Sequence, residues 1–157
     1  MAYQKLQVGV GIPVVPSDTI DIPNAPGGLF SGVIASISTD TITVTGAKFL
    51  GMNLSAGMVV QSTVAAPAVA TIVSVDSDTE ITLSSVTGFT AADTFEIFTD
   101  ANVGCVLYVG GAGNLRILTA SDSDITLVGV LAGSFIPIQV KRVFSTSTAA
   151  SSIVALW

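Results

Sequence analysis

The chain has 157 residues, of which half are apolar and only a tenth are charged, and its formal net charge is −6. Nucleic-acid binding needs clustered basic residues that displace phosphate counterions, whereas this chain has five lysines and arginines spread over its length. We therefore expect no DNA or RNA ligand. No stretch approaches the roughly 20 consecutive apolar residues of a membrane-spanning helix, so no membrane partner is expected either.

Residue types that perform catalysis are scarce. The chain has no histidine and a single cysteine, Cys105, which excludes an intrachain disulfide. Cys105 lies among apolar residues and is predicted to be a small buried hydrophobe. The acidic run at Asp76, Asp78 and Glu80 lacks the glycine that a calcium loop needs at its sixth position, because Ile81 stands there. We assign no catalytic residue, no cofactor and no metal ligand, and we do not expect an enzyme.

In chain order, residues 1–28 are predicted to form an extended arm. Proline lacks a backbone donor and favours extended, edge-like conformations. The arm is rich in glycine and proline, at Gly9, Gly11, Pro13, Pro16, Pro23, Pro26, Gly27 and Gly28. We expect that deletion of residues 1–28 leaves a folded β-domain that no longer docks on its partner.

Residues 29–99 are predicted to form an inserted module of five or six short strands. Isoleucine, valine and leucine alternate there with threonine, which suits a sheet with one wet face and one buried face. The expected strands are 32–37, 41–44, 57–60, 70–75, 80–83 and 93–98, with turns or a single helical turn at 47–54 and 89–92. Tight turns between so many short strands favour a small antiparallel barrel or sandwich.

A hairpin-like unit recurs three times, at residues 37–44, 73–83 and 118–127. In each copy an apolar strand enters a turn of aspartate and serine and leaves through Ile-Thr-Val or Ile-Thr-Leu. Aspartate and serine suit such turns because their side chains bond nearby backbone groups. Each copy therefore predicts an antiparallel hairpin.

Residues 100–157 are predicted to form a carboxy-terminal β platform that, with the arm, makes a discontinuous base. The glycines at 110–113 are followed by a strand pattern and not by the helix of a phosphate-binding loop, which predicts a glycine hairpin turn. Lys141 and Arg142 are adjacent in a strand and face opposite sides. Two interpretations stay open: a device that protects a sheet edge, or an ion pair with an acidic patch on a neighbouring subunit. Trp157 covers its own core or anchors an interface.

Both ends of the chain resemble small structural proteins of tailed bacteriophages, a family that includes the head spike-base proteins of phages and gene transfer agents. The resemblance covers residues 1–26 and 103–157, about half of the chain. It rests on Met1-Ala-Tyr-Gln-Lys-Leu-Gln-Val-Gly9, Pro16-Ser-Asp-Thr19 and Ile22-Pro-Asn24, and on Gly104-Cys-Val-Leu-Tyr-Val-Gly-Gly-Ala-Gly-Asn-Leu115, Gly133-Ser-Phe-Ile-Pro-Ile-Gln-Val-Lys-Arg-Val143 and Ile153-Val-Ala-Leu-Trp157. The shorter relatives lack the module at residues 29–99.

The resemblance implies an all-β virion protein: an antiparallel sandwich or barrel base built from residues 1–28 plus 100–157, with an inserted small β-barrel-like module at 29–99. We expect it to dock on the capsid exterior, after assembly in the host cytoplasm, as a decoration, cement or head spike-base subunit. Its expected partners are the major capsid protein, other virion proteins and further copies in a trimer or pentamer. The expected interface residues are Tyr3, Lys5, Leu6, Pro13, Pro16, Pro23, Lys141, Arg142, Phe144 and Trp157. A glycan-binding host-surface spike or fibre module and a tail-associated protein remain alternatives.

Overall fold

The computed structural model describes residues 9–99 and 102–157. The predicted all-β class is confirmed: the described chain consists of antiparallel strands, with 3-10 turns at Ala25–Gly27 and Phe49–Gly51 as its helical segments. In chain order the strands are β1 (Gly11–Pro13), β2 (Gly28–Val33), β3 (Ser36–Ser38), β4 (Thr41–Thr43), β5 (Val59–Ser62), β6 (Val69–Val75), β7 (Glu80–Leu83), β8 (Thr94–Phe98), β9 (Cys105–Gly111), β10 (Gly113–Thr119), β11 (Asp124–Val130), β12 (Ser134–Val143) and β13 (Ser151–Leu156).

The strands form two compact units, each with its own sheet and its own apolar core. The first unit, here called the base, contains residues 9–26 and 102–157. The second, here called the module, contains residues 27–99. The base is thus assembled from two separate parts of the chain, and the module lies between them in sequence.

The module is built from one seven-stranded antiparallel sheet. Its strand order is β2-β8-β5-β6-β7-β4-β3. The two outermost strands, β2 and β3, are consecutive in the chain and are separated only by Ile34 and Ala35. The backbone N–H groups of these two residues donate to the carbonyls of Asp93 and Thr43, at 3.0 and 2.8 Å. One continuous segment therefore pairs with β8 at one end of the sheet and with β4 at the other, which gives the module a barrel-like form.

Alternating side chains fill the barrel. In β7 the side chains of Ile81 and Leu83 are buried, whereas Glu80 is exposed. Ile42 in β4 and Phe95 in β8 are also fully buried and belong to the same cluster. This is the period-two pattern that the sequence showed, because successive side chains of a strand point to opposite faces.

All three recurring units form antiparallel hairpins, as predicted: β3–β4, β6–β7 and β10–β11. The expected bond from a turn side chain to the backbone is made in the β6–β7 turn by a serine, since the hydroxyl of Ser77 accepts from the N–H of Thr79 at 3.2 Å. The aspartate there bonds other side chains instead. In the β6–β7 hairpin, the Asp76 carboxylate accepts hydrogen bonds of 2.7 Å from the hydroxyls of Ser74 and Thr82. These bonds hold the pKa of Asp76 below its usual value, with the Thr82 bond the larger cause.

The base sheet has the order β1-β13-β9-β12-β10-β11. Strand β12 is ten residues long and pairs with β9 through its first half and with β10 through its second half. Strands β9 and β10 follow each other with only Ala112 between them, yet they lie on opposite sides of β12. Strands β9, β12 and β13 and the described part of the arm enclose a core that includes Leu107, Val140 and Ala155.

The predicted glycine hairpin turn at residues 110–113 is wrong, because β9 and β10 do not pair with each other. The glycines serve close approach of backbones instead. A Cβ at Gly113, where φ is +157°, would lie 2.5–2.8 Å from backbone atoms of Ala149 and Ala150. A Cβ at Gly110 would lie 2.9 Å from Ser152. The chain segment that leads into β13 therefore lies directly against these glycines.

The arm is not a separable appendage in its described part. Val14 and Ile22 are buried in the core of the base, and β1 pairs with β13 in the register Gly11 to Leu156. Removal of residues 1–28 would take two core side chains and one strand from the base. The expectation that this deletion leaves an intact folded domain does not fit the structure of the base.

Replacing Gly113 with alanine should destabilise the base by about 1–3 kcal/mol, because the new methyl group meets backbone that cannot move aside cheaply. Trp157 is the only tryptophan of the chain and lies in the base. Its fluorescence during urea denaturation therefore reports on this unit. Gly9→Ala is the control, since nothing lies within 4 Å of a Cβ at that position. Equal midpoints for the two variants would contradict the assigned role of Gly113.

Candidate docking surface

The base joins residues 9–14 to residues 153–157 by backbone hydrogen bonds. The N–H of Gly9 donates to the carbonyl of Trp157 at 2.7 Å, and the N–H of Trp157 donates to the carbonyl of Val10 at 3.0 Å. The N–H of Val14 donates to the carbonyl of Ile153 at 2.9 Å. The partly buried indole of Trp157 also packs against the core of the base. Of the two interpretations of Trp157, the structure therefore shows the one in which it covers its own core.

A buried asparagine that the sequence did not single out connects these parts. The side chain of Asn102 is 1% exposed. Its amide nitrogen donates to the carbonyl of Val140 at 2.6 Å, and its oxygen accepts from the backbone of Gly104 at 2.8 Å and from Nε1 of Trp157 at 3.2 Å. Its backbone N–H donates to Ile22 at 3.0 Å. Asn102 thus fixes the point at which the chain re-enters the base.

Two carboxylates hold the arm on β12 and on the segment that follows it. The Asp18 carboxylate accepts hydrogen bonds from the hydroxyl of Ser145 and from both the hydroxyl and the backbone N–H of Thr146, at 2.7–3.0 Å. These bonds, with that of the Thr146 side chain the largest cause, lower the pKa of Asp18 to about 2. Asp21 binds the guanidinium of Arg142 at 2.7 Å, and both side chains are only 20% exposed.

Lys141 and Arg142 both find carboxylate partners within their own chain. Lys141 donates to Asp122 at 2.7 Å, and Arg142 pairs with Asp21 in the arm. The partners lie in different elements because adjacent strand residues face opposite sides. Strand β12 lies inside the sheet, between β9 and β10, so the interpretation of this pair as an edge device is wrong. The acidic patch of a neighbouring subunit is not required to satisfy either charge.

Phe144 lies beside two guanidinium groups. The central carbon of Arg116 is 4.3 Å from the ring centroid, and that of Arg142 is 5.8 Å away. Arg116 also makes two hydrogen bonds to Asp124, of 3.0 and 2.6 Å. Stacking on an aromatic ring adds an attraction of roughly 0.5–1 kcal/mol at an exposed site. Phe144 is therefore part of a network that orders this end of β12.

Cys105 is buried, and burial raises the pKa of its thiol to about 12. It packs as a small apolar side chain, as the sequence indicated, and its sulfur donates to the carbonyl of Val140 at 3.3 Å. Within residues 9–99 and 102–157, no three His, Cys, Asp or Glu side chains are grouped to hold a metal ion. No helix in this described part of the chain is long and apolar enough to cross a membrane.

The predicted interface residues do not form one surface. Tyr3, Lys5 and Leu6 lie outside the described residues. The other seven are all in the base but differ in exposure: Pro13 and Pro16 are exposed, Pro23 is buried, and Lys141, Arg142, Phe144 and Trp157 are partly buried. Pro23 therefore supports the fold and presents no surface to a partner.

The most exposed group of large apolar side chains in the base lies elsewhere. Val128 in β11, Leu131 in the β11–β12 turn and Phe135 in β12 are 80%, 72% and 58% exposed, respectively. They fall within eight residues of the chain, and we call them the apolar tip. Phe135 rests on Tyr108 of β9, with ring centroids 5.2 Å apart. The chain carries no charged residue from 125 to 140, which is the signal that sequence reasoning overlooked.

A backbone irregularity lies in β11 beside the tip. The pairing of β10 with β11 shifts register between Gly113 and Leu115, so that two residues of β11, Val128 and Gly129, oppose the single residue Asn114 of β10. Gly129 lies in this bulge with φ +67°, and its N–H donates to the side-chain oxygen of Asn114 at 3.0 Å. Bulges change the direction of a side chain relative to regular alternation. Val130 consequently packs on the core together with Leu127, whereas Val128 faces solvent as regular alternation from Leu127 requires.

Charge is distributed unequally between the two units. Residues 27–99 contain six carboxylates and one lysine, a net charge of −5. The described residues of the base contain four carboxylates and three cations, a net charge of −1. Arg116, Lys141 and Arg142 are each ion-paired inside the base. The base therefore presents a nearly neutral surface, and the module a clearly acidic one.

Comparison with protein-family models, with curated proteins and with solved structures finds no match to this chain. The resemblance of its two ends to phage structural proteins accordingly stays a prediction.

Replacing Asn102 with alanine should lower the free energy of unfolding of the base by about 2–3 kcal/mol, because Gly104 and Trp157 then lose their acceptor in a buried place. Urea denaturation followed by Trp157 emission measures this loss. Asn114→Ala is the matched control: it removes the single bond to Gly129 at an exposed position, and about 1 kcal/mol or less is expected. A smaller effect for Asn102→Ala than for Asn114→Ala would contradict the role of Asn102.

Asp18→Asn should destabilise the base near neutral pH and lose its effect in acid. The folded pKa of Asp18, about 2, lies below its ordinary value of 3.8. The ionised carboxylate therefore adds stability above the unfolded pKa, and this contribution is lost as the pH falls through 3.8 towards 2. The test compares urea midpoints of the wild type and the variant across this range, with Asp40→Asn in the module as control. A difference that persists at pH 2 would show that the ionised carboxylate is not responsible.

Proposed function

We propose that this protein is a non-enzymatic structural protein of a bacteriophage virion, which docks on the outside of the capsid as a decoration, cement or head spike-base subunit. The base is the part that attaches, and the module is carried by it. The major capsid protein is the proposed partner on the particle.

The observation that carries the proposal is the architecture of the base. Its fold has close backbone contacts at Gly110 and Gly113 and the buried Asn102, and its described cations are ion-paired internally. The described part of this unit is therefore nearly neutral, and it keeps an apolar tip exposed. These properties favour attachment by apolar contact, since exposed apolar groups mark interaction sites.

The unequal charge supports the same division of roles. The net charge of −5 on the module makes close packing of modules against each other unfavourable, because like charges repel. The base has no comparable excess of charge. This distribution of charge favours attachment through the base, with the module in solvent.

A host-surface binding module is the second candidate. The module has a concave pocket of about 430 Å³ lined by uncharged residues, among them Phe30, Val33 and Thr45. Pockets of this size that combine apolar walls with a few polar groups are typical of small-ligand sites. A neutral glycan could bind there while the base is attached to the capsid. In the tail-associated alternative, by contrast, the base would attach to a tail protein and not to the capsid.

The proposal is tested by adding the purified full-length chain to phage particles that lack it and measuring co-sedimentation. Saturable binding to the particles is expected. A second protein, in which a short glycine-serine linker replaces residues 27–101, should bind equally, because the bond between Asn102 and Ile22 brings the two parts of the base together. Its Trp157 emission must match that of the full chain, which verifies that the base is folded.

Absence of binding by the folded full-length chain would overturn the proposal. Binding to isolated tails and not to capsids would replace it by the tail-associated alternative. Binding of a glycan by the full-length chain, with no affinity for either particle, would favour the host-surface function.

A further inference from the structure

Strand β2 of the module has one edge that no neighbouring strand covers in the described chain. It stands at one end of the module sheet and pairs with β8 on its inner side. Strand β4 does not continue beside it, because the chain turns at Thr45 and Gly46, where φ of the glycine is +76°. Residues 30–33 and 44–47 thus face each other across a gap, and both line the pocket of about 430 Å³. We call this gap the seam of the module.

The backbone groups of two residues of β2 point into the seam. The carbonyl of Thr94 in β8 accepts a hydrogen bond of 2.8 Å on the side of β5. Hydrogen-bonded and unbonded pairs alternate along an antiparallel ladder, so the next residue, Phe95, faces β2 and bonds Gly32. Ser31 and Val33, on either side of this glycine, therefore direct their N–H and C=O groups away from β8 and into the seam.

The residues that follow β2 show the same alternation. The N–H of Ile34 donates to β8 at 3.0 Å, whereas the N–H of Ala35 donates away from β8, to the carbonyl of Thr43 at 2.8 Å. Ser31 and Val33 alternate in step with Ala35, but within the described residues no group bonds them across the seam. The seam consequently offers two donors and two acceptors at the two-residue spacing of a strand edge.

The pocket beside this edge has apolar walls. The ring of Phe30 packs on Phe49 and Phe95, with centroids 5.3 and 5.9 Å apart. Val44 and Ala47 line the pocket from the other side of the seam and are buried. Successive side chains of a strand point to opposite faces, so alternate side chains of a strand added to β2 would enter the pocket and contact these apolar groups.

The charge next to the seam is negative. Glu96 of β8 lies directly opposite Ser31 in the ladder and is partly exposed. Lys48 is the single cation among residues 27–99, and it pairs with Asp78 at 3.6 Å. The ion pairs of the described chain leave Glu96 without a cation. A segment that contains lysine or arginine is attracted here, and an acidic segment is repelled.

We propose that the seam binds an extended, cationic peptide segment of a partner protein, which adds to β2 as a further strand. Backbone bonds to Ser31 and Val33 provide affinity, and the pocket selects an apolar side chain, as in other cases of strand addition. A lysine or arginine of the segment lies beside Glu96. A neutral glycan gains nothing from this charge and is the less favoured occupant. The inference goes beyond the proposed function, because it concerns the module and does not depend on where the base attaches.

Hydrogen exchange of the free full-length chain, followed by NMR, tests whether the seam is open. The amide protons of Ser31 and Val33 should exchange rapidly. Those of Gly32 and Ile34, which bond β8, should be protected. Equal protection of all four amides would overturn the inference, since the edge of β2 would then be paired within the chain.

Binding is tested with a library of end-capped hexapeptides of random sequence and the immobilised full-length chain. The selected peptides should be rich in lysine or arginine and should carry apolar residues at alternate positions. The best of them should protect the amides of Ser31 and Val33 from exchange. Methylation of its backbone nitrogens on the side that faces β2 should weaken binding about tenfold or more, because the carbonyls of the seam lose their donors.

Two pairs of variants separate backbone pairing from charge. Val33→Pro removes the N–H that points into the seam and no bond to β8, and proline is tolerated on such an edge. It should weaken peptide binding about tenfold, whereas Val33→Thr keeps the N–H and should bind as the wild type does. Glu96→Gln should weaken binding about threefold or more, whereas Asp40→Asn removes the same charge in the β3–β4 turn and should have little effect. The NMR spectrum of each variant verifies that the module is folded.

A library that yields no binder, or binders that are mainly acidic or uncharged, would overturn the inference. So would peptide affinity that neither backbone methylation nor Val33→Pro reduces, because the pocket alone would then hold the ligand. Protection of the same two amides by a neutral glycan, with no peptide bound, would make the glycan the occupant. None of these measurements involves a particle, so a failure here leaves the proposed attachment to the capsid standing, and absence of capsid binding leaves this inference standing.

Discussion

The structure of the base depends on the antiparallel pairing of residues 9–14 with residues 153–157. This pairing brings two distant parts of the chain into one sheet, and Asn102 completes the junction by bonding both Ile22 and Trp157. Because the two parts are joined there, a whole module can be inserted between them without interrupting the core of the base. The carboxylates of Asp18 and Asp21 reinforce the pairing from the arm side, through bonds to Arg142 at the end of β12 and to the two residues Ser145 and Thr146 that follow this strand.

Local sequence patterns predicted the local structure. The three recurring units are hairpins, and the alternation in 80–83 matches β7 at both ends, because turn chemistry and period-two burial act over a few residues. The same local patterns predicted less well which strands lie next to each other in a sheet. Residues 110–113 have the glycine-rich composition of a hairpin turn. Only the distant segment from Ala149 to Ser152 shows that Gly110 and Gly113 serve close packing of backbones. A contact with a residue that is distant in the sequence leaves no mark in a local pattern.

The candidate surface shows the same limit. The sequence drew attention to charged and aromatic residues, such as Lys141, Arg142 and Trp157, and the structure uses all three internally. Their partners are carboxylates and an amide from other elements, which could not be paired before the fold was known. A charged residue in a strand can be required by the fold itself, since a buried or half-buried polar group must be satisfied somewhere. The exposed residues are ordinary aliphatic ones.

The side-chain pattern alone accounts for the exposure of Val128, whereas the burial of Val130 follows from the backbone. In regular alternation from Leu127, which packs on the core, Val128 and Val130 would both face solvent. The bulge formed by Val128 and Gly129 opposite Asn114, held by the bond from the N–H of Gly129 to the Asn114 side chain, returns Val130 to the core. One extra residue in β11 therefore keeps the end of this strand packed on the core, while Val128 stays in solvent.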